Sequence, residues 1–236
     1  MSETTNLGLP LLQASQAQKH VTVNESLAKL DGLTHLTLSS LVIATPPGAA
    51  EDGEAYGVPI GAVNEWNGHV GEIAIRSNGG WVFVAPQIGW RAWIGDAGAP
   101  ALYTGEVWEI GGVTMSANMS VAALRISEFD HVVPAGTTST IPGVLPLDVT
   151  IFSVAGVVKS AISGTLTSWK LGISNDPDRY GTGLGLIQGA SFKGTNNRTF
   201  AYDSDKPLVM TAIDGDFAGG EVRFAVHYLD CIAPSV

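Results

Sequence analysis

Apolar and polar residues alternate with a period of two over most of the chain, in short runs broken by Gly, Pro and Asn. That period places successive side chains on opposite faces of a strand, so it predicts half-buried β-strands. The run HVGEIAIRS, residues 69–77, sets Val70, Glu72, Ala74 and Arg76 against Gly71, Ile73, Ile75 and Ser77. The run GEVRFAVHYLDCI near the end sets Val222, Phe224, Val226 and Tyr228 against Arg223, Ala225 and His227. VPIGAVNEW, WVFVAP, WRAWIGD, ALYTG and EVWEI read as further strands of an antiparallel meander, with turns at Asn67–Gly68 and at the Asn-Gly-Gly of residues 78–80. AALRISEFDHVV, STIPGV, LDVTIFSVAGVV, AISGTLTSWKLGI and LVMTAID continue the pattern beyond residue 112. About eight strands with long loops between them suggest a jelly-roll-like sandwich.

The expected class is therefore mainly β. A short N-terminal helical segment occupies residues 1–40, a Trp-rich antiparallel β-meander residues 41–112, and a C-terminal jelly-roll-like β-sandwich residues 113–236. TPPGAAEDGEAYG, residues 45–57, and GGVTMSANMS, residues 111–120, carry no period and read as linkers.

The first 40 residues break the period of two. SQAQKH, residues 15–20, are fair helix formers. Thr22 and Glu25 stand at capping-box spacing, and Val23, Leu27 and Leu30 recur at i, i+4 and i+7. The pattern predicts a short helix from about residue 15, a break near Val21, and a second helix over 23–32 that Gly32 weakens. A helix this short is marginal alone in water. Its stripe has to bury against the β-structure or against other copies of the chain.

Composition narrows the function classes. Charged residues are 14% and hydrophobic residues 45%, with 29 Gly, which favours strands and tight turns over disorder. Twelve Lys and Arg against 22 Asp and Glu leave a net charge of −10. The basic residues are scattered, so no patch suits nucleic acid, and none is expected as a partner. No apolar run reaches the length of a membrane helix, and no membrane insertion is expected. MSETTNLGLP lacks the basic region and apolar core of a secretory signal, which implies synthesis in the cytoplasm without export by that route. Cys231 is the single cysteine. It excludes an intrachain disulfide and is expected as a buried strand neighbour.

Candidate chemistry falls in three places. Lys19, His20, Asn24 and Glu25 resemble an acid–base set, but helix geometry gives them no common face with a pocket, so capping and chain–chain contact are the reading. SWKLGISNDPDRYGTGLG, residues 168–185, and NNRTFAYDSD, residues 196–205, mix rings with carboxylates and amides. A sugar could stack on Trp169 or Tyr180 while Asn175, Asp176, Asp178, Arg179, Arg198, Tyr202 and Asp203 take its hydroxyls. Plain Asx turns explain the same residues. Asn175, Asp176 and Asp178 could hold Ca²⁺ but lack EF-hand spacing, so no cofactor or metal is expected. Trp81, Trp90 and Trp93 either fill a small core or line a platform or interface. No hydrolase, metalloprotease, P-loop or dinucleotide motif is present. A carboxylate pair for glycoside hydrolysis would be assembled only by the fold.

LPLLQASQAQKHVTVNESLAKLD, residues 9–31, resembles the opening of the domain-of-unknown-function 2793 family found in tail-fibre and head-spike proteins of phages and gene transfer agents. The likeness runs on through GEAYGVPIGAVNEWNGHVGEIAIRSNGGWVFVAPQIGWRAWIGDAGAPALYTGEVW, to about residue 110, with departures at Ser15 and Ser26. LGISNDPDRYGTGLG and FAGGEVRFAVHY look like the β domain that often follows. The resemblance implies a fibre or spike without established catalysis, usually a homotrimer, built into a phage-like particle and released by lysis. The N-terminal part would attach to other particle proteins through Gln16, Lys19, His20, Val23, Asn24, Leu27 and Leu30. The C-terminal part would bind host surface polysaccharide. A capsule depolymerase and a ligand-free structural protein are the alternatives.

Overall fold

The structure, a computed structural model, describes residues 3–12 and 19–235, with side chains described outside 19–20 and 195–200. The chain divides into two compact units, Met1–Val121 with Ala233–Val236, and Ala122–Ile232. Both consist mainly of β-strands.

The first unit opens with α1 (Lys19–Leu33), a single continuous helix. The expected break at Val21 is absent. Thr22 lies inside the helix, where its carbonyl accepts the Ser26 hydroxyl at 2.9 Å, so Thr22 and Glu25 form no capping box. Their spacing also fits an interior turn, and spacing alone cannot tell the two apart. The helix stops as His35 enters left-handed backbone at φ 52°. Gly32, read as a weak point, is where the helix docks: a Cβ there would lie 2.9 Å from the Ile75 side chain. Lacking one, the last turn rests directly on the sheet.

Eight strands follow: β1 (Thr37–Leu38), β2 (Ala55–Gly57), β3 (Ile73–Ser77), β4 (Gly80–Val84), β5 (Arg91–Ile94), β6 (Ala99–Tyr103), β7 (Trp108–Ile110) and β8 (Gly112–Met115). β2 and β8 occupy parts of the two segments read as linkers. One sheet has the order β2-β3-β4 and a second β1-β5-β6-β7. Pairing is antiparallel except between β1 and β5, which run parallel. β3 is buried on both faces. Ile73 and Ile75 join Leu36, Leu38 and Ile94 in one core, while Ala74 joins Tyr56 and Trp66 in another.

Asn78 and Gly79 both adopt positive φ, at 50° and 75°, and bring Ser77 opposite Gly80. This is the two-residue hairpin that matches strand twist. Asn67–Gly68 makes no such hairpin. Asn64–Trp66 form a 3₁₀ turn that delivers Trp66 into the core without exposed surface. Burial of the indole decides the local backbone there.

The second unit holds β9 (Val121–Val132), β10 (Thr138–Ile141), β11 (Thr150–Gly164), β12 (Ser168–Ile173), β13 (Asp176–Leu184), β14 (Ser191–Phe200), β15 (Leu208–Ile213) and β16 (Phe217–Ile232). One sheet has the order β10-β15-β12-β13, the other β14-β11-β16-β9. The pairs nest: β9 with β16, β10 with β15, β11 with β14, β12 with β13. A long hairpin folded over itself has this order, which is compatible with a jelly roll. One core fills the space between the sheets. Ile151, Val154, Val222, Phe224 and Val226 come from one side, and Trp169, Leu171, Leu208 and Met210 from the other.

Two expectations change here. Residues 176–184 and 191–200 are strands, although most of them were read as loops. Both strands end a sheet, and Pro177 is tolerated on such an edge. Cys231 is exposed rather than buried. It follows the outward parity of Arg223, Ala225 and His227, opposite to the fully buried Val222, Phe224 and Val226.

Candidate carbohydrate-binding site

The two ring-and-carboxylate stretches meet in the second unit. β12 and β13 form a hairpin with Ile173 opposite Asp176 and Ser174–Asn175 at the tip. Residues 201–205 follow β14. Arg179 links them. Its Nε donates to Asp176 Oδ2 at 2.9 Å and its Nη1 to the Tyr202 hydroxyl at 2.6 Å. The guanidinium also lies 5.9 Å from the Tyr202 ring centroid. The Tyr202 and Tyr180 hydroxyls are 3.2 Å apart. Burial first, and then the hydrogen bond to Tyr202, push the Tyr180 hydroxyl far above the ordinary tyrosine range, so it stays protonated. Burial opposes the charge on Arg179, but its bonds to Asp176 and Tyr202 outweigh that and raise its pKa.

This arrangement removes the expected stacking platform. Trp169 has no exposed surface, its indole N–H donates to the Gly185 carbonyl at 3.0 Å, and its ring packs edge-on against Phe192 and Phe224. Tyr180 and Tyr202 are only 3% and 6% exposed. The three rings therefore belong to the core of the sandwich. Asn175, Asp178 and Asp203 remain exposed and Asp176 half-buried. Ser204 donates to Asp203 at 3.2 Å, and Asp205 accepts the Gly143 N–H at 3.2 Å, which ties this loop to the segment after β10. The side chain of Arg198 lies outside the described residues. Carboxylates and an amide on pinned loops can accept hydrogen bonds from hydroxyls. Among the described residues no group of three or more His, Cys, Asp or Glu is placed to hold a metal.

The N-terminal candidates are placed differently. Gln16 lies outside the described residues, and Lys19 and His20 open α1 with side chains that are likewise outside them. Val23 and Leu30 are exposed and Leu27 is half-buried. Asn24 clamps its own chain: Nδ2 donates to the Leu12 carbonyl at 3.1 Å, and Oδ1 accepts the Leu12 N–H at 3.0 Å. Asp31 was missed. It is 3% exposed and accepts the Thr4 hydroxyl at 2.7 Å, the Asn6 N–H at 3.0 Å and the Leu7 N–H at 2.7 Å. Its one sequence signal is its place beside Gly32, at the turn that touches the sheet.

In the meander, Trp66 and Trp81 pack edge-on at 5.1 Å, and Arg76 lies 5.1 Å from the Trp81 ring. Trp81 and Trp90 are half-buried and Trp93 is 48% exposed.

The fold defines a two-unit, mainly β protein with one short N-terminal helix. Residues 23–109 match the model of a family described as a protein of unknown function, DUF2793. The match takes in most of α1 and the meander. No curated protein matches the chain. Among solved structures, the chain is similar to one in the cyanophage Pam1 capsid asymmetric unit, with 16% identity over 46% of this chain and 85% of that one. The TM-score is 0.37, too low to carry an argument.

Proposed function

We propose that the protein is a structural fibre or spike of a phage-like particle, either a phage or a gene transfer agent. Its N-terminal unit attaches to other particle proteins, and its C-terminal sandwich binds host cell-surface polysaccharide without cleaving it. The observation that carries this reading is the layout. A unit matching the family over residues 23–109 is joined to a separate eight-stranded sandwich with exposed carboxylates and an amide on pinned loops.

In this reading the chain works as a homotrimer on a virion-like particle. Val23, Leu27 and Leu30 meet their counterparts in a helical bundle. Support comes from the exposure of Val23 and Leu30, since a 15-residue helix with an uncovered stripe gains from partners. Asn175, Asp178 and Asp203 take the sugar hydroxyls.

The test is binding of the full-length protein to intact bacterial cells, competed with purified polysaccharide. Asn175→Ala, Asp178→Ala and Asp203→Ala together are expected to weaken binding at least tenfold. Released oligosaccharide would move the reading to a depolymerase. No binding to any cell, with a stable monomer by light scattering, would overturn it.

A further inference from the structure

We propose that an apolar groove in the first unit docks an extended segment of another protein, one carrying an aliphatic or aromatic side chain next to a lysine or arginine. The groove encloses about 470 Å³ and is lined by Val42, Val58, Ile60, Val70, Val107 and Trp108, among others. Four of these are conspicuously uncovered: Ile60 is 91% exposed, Val42 77%, Val107 55% and Val70 51%. Single exposed aliphatics are ordinary, but several gathered around one concavity mark an interaction surface. The volume lies in the range of pockets that take side chains or small ligands.

The walls are pinned. Gly71 N–H donates to the Val58 carbonyl and Val58 N–H to the Glu72 carbonyl, each at 2.9 Å. On the other side Thr104 N–H donates to the Val107 carbonyl at 2.9 Å, and Val107 N–H donates to the Thr104 hydroxyl at 3.2 Å. The Tyr103 hydroxyl donates to the Gly105 carbonyl at 3.0 Å. At the floor a Cβ on Gly57 would lie 2.6 Å from the Leu41 side chain, so the leucine packs directly on the glycine backbone. The groove is formed before any partner arrives, which reduces the ordering cost of binding.

Charge selects the partner. Glu72 and Glu106 are the charged residues that line the groove, and both are acidic. Glu72 lies 2.7 Å from His69 Nδ1. Glu106 has no side-chain partner among the described residues. An apolar floor with carboxylates beside it suits an apolar anchor followed by a cation, with the main chain extended across the opening. A second copy of this chain would bring a net charge of −10 to this acidic rim, which disfavours it as the occupant. None of this depends on what the C-terminal unit binds.

The test screens the full-length protein against a positional-scanning library of N-acetylated hexapeptides. The selected peptide is then measured by fluorescence anisotropy. Selection is expected to enrich an aliphatic or aromatic residue beside Lys or Arg. Ile60→Ser and Val107→Ser are each expected to weaken binding at least tenfold, as is Glu106→Lys. All three positions are exposed, so the fold should persist, and circular dichroism checks it. A library that returns no binder, or polar or acidic sequences, overturns the proposal. So does unchanged binding in the variants. Dimers that dissociate on Ile60→Ser would make a second copy the occupant and overturn it equally.

Discussion

Arg179 donates to the Tyr202 hydroxyl at 2.6 Å across 23 residues of sequence, while its other edge holds Asp176. One half-buried guanidinium thus joins the β12–β13 hairpin to the loop after β14. Tyr202→Phe removes the hydroxyl that accepts from Arg179 and lies 3.2 Å from the Tyr180 hydroxyl. A loss of about 1–3 kcal/mol is expected, read from denaturant unfolding at unchanged slope. Arg179→Lys is expected to destabilise as well, because one ammonium cannot reproduce the planar fork. Unfolding midpoints equal to the parent protein would refute the role given to this junction.

Asp31 predicts a separable behaviour at the other end of the chain. Its carboxylate gathers the Thr4 hydroxyl and the Asn6 and Leu7 N–H groups. Asp31→Ala leaves those donors unpaired, at roughly 1–3 kcal/mol for each one that stays buried. Hydrogen exchange should show Asn6 and Leu7 losing protection while β3 keeps its own. Asp31→Asn is expected to fall between, since an amide has one acceptor atom where the carboxylate has two.

His131 sets a pH dependence. Its Nε2 lies 2.7 Å from the hydroxyl of buried Ser139. Burial lowers its pKa from the ordinary 6.5. The unfolded chain therefore takes up this proton first as pH falls, and binds more protons than the folded chain below about 6.5. Stability should decline from pH 7 towards 5, and His131→Gln should flatten that decline. Thermal unfolding of both proteins across this range measures it, and equal slopes would count against the assignment.

Asp130 acts in the same sense, at lower pH. It receives Arg223 at 2.7 and 2.8 Å and Lys159 at 2.7 Å. Hydrogen bonds from Arg223, and then Lys159, hold its carboxyl far below the ordinary 3.8. Its stabilisation is present above about 3.8 and lost as pH falls below that value. The site is on the surface, so the effect should be modest and should shrink in about 1 M salt. Asp130→Asn is expected to flatten the acid limb of the stability curve, and a limb unchanged by the substitution would contradict the network.

Strand after strand could be read from alternation where one face is buried. Val222, Phe224 and Val226 against Arg223, Ala225 and His227 came out as the pattern required. Asn78–Gly79 turned because both residues tolerate positive φ. Such features depend on neighbours in the chain, and a linear pattern records them. β13 escaped that logic because its Asp, Pro and Gly residues read as turn formers, although Tyr180 and Leu184 pack in the core, as Phe192 does from β14. Trp169, Tyr180 and Tyr202 looked like ligand contacts because a ring beside carboxylates has the same local sequence whether it faces solvent or the core.

The sequence by itself determined a mainly β chain with an N-terminal helix, its best-patterned strands and the composition of its loops. Periodicity and turn chemistry are local, so they needed no fold. Tertiary structure alone decided that Asp31 is buried and gathers the Thr4, Asn6 and Leu7 donors. It also decided that Arg179 meets Tyr202 across 23 residues of sequence. Each of these depends on burial and on hydrogen bonds between residues distant in the chain, and spacing along the sequence carries no record of such contacts.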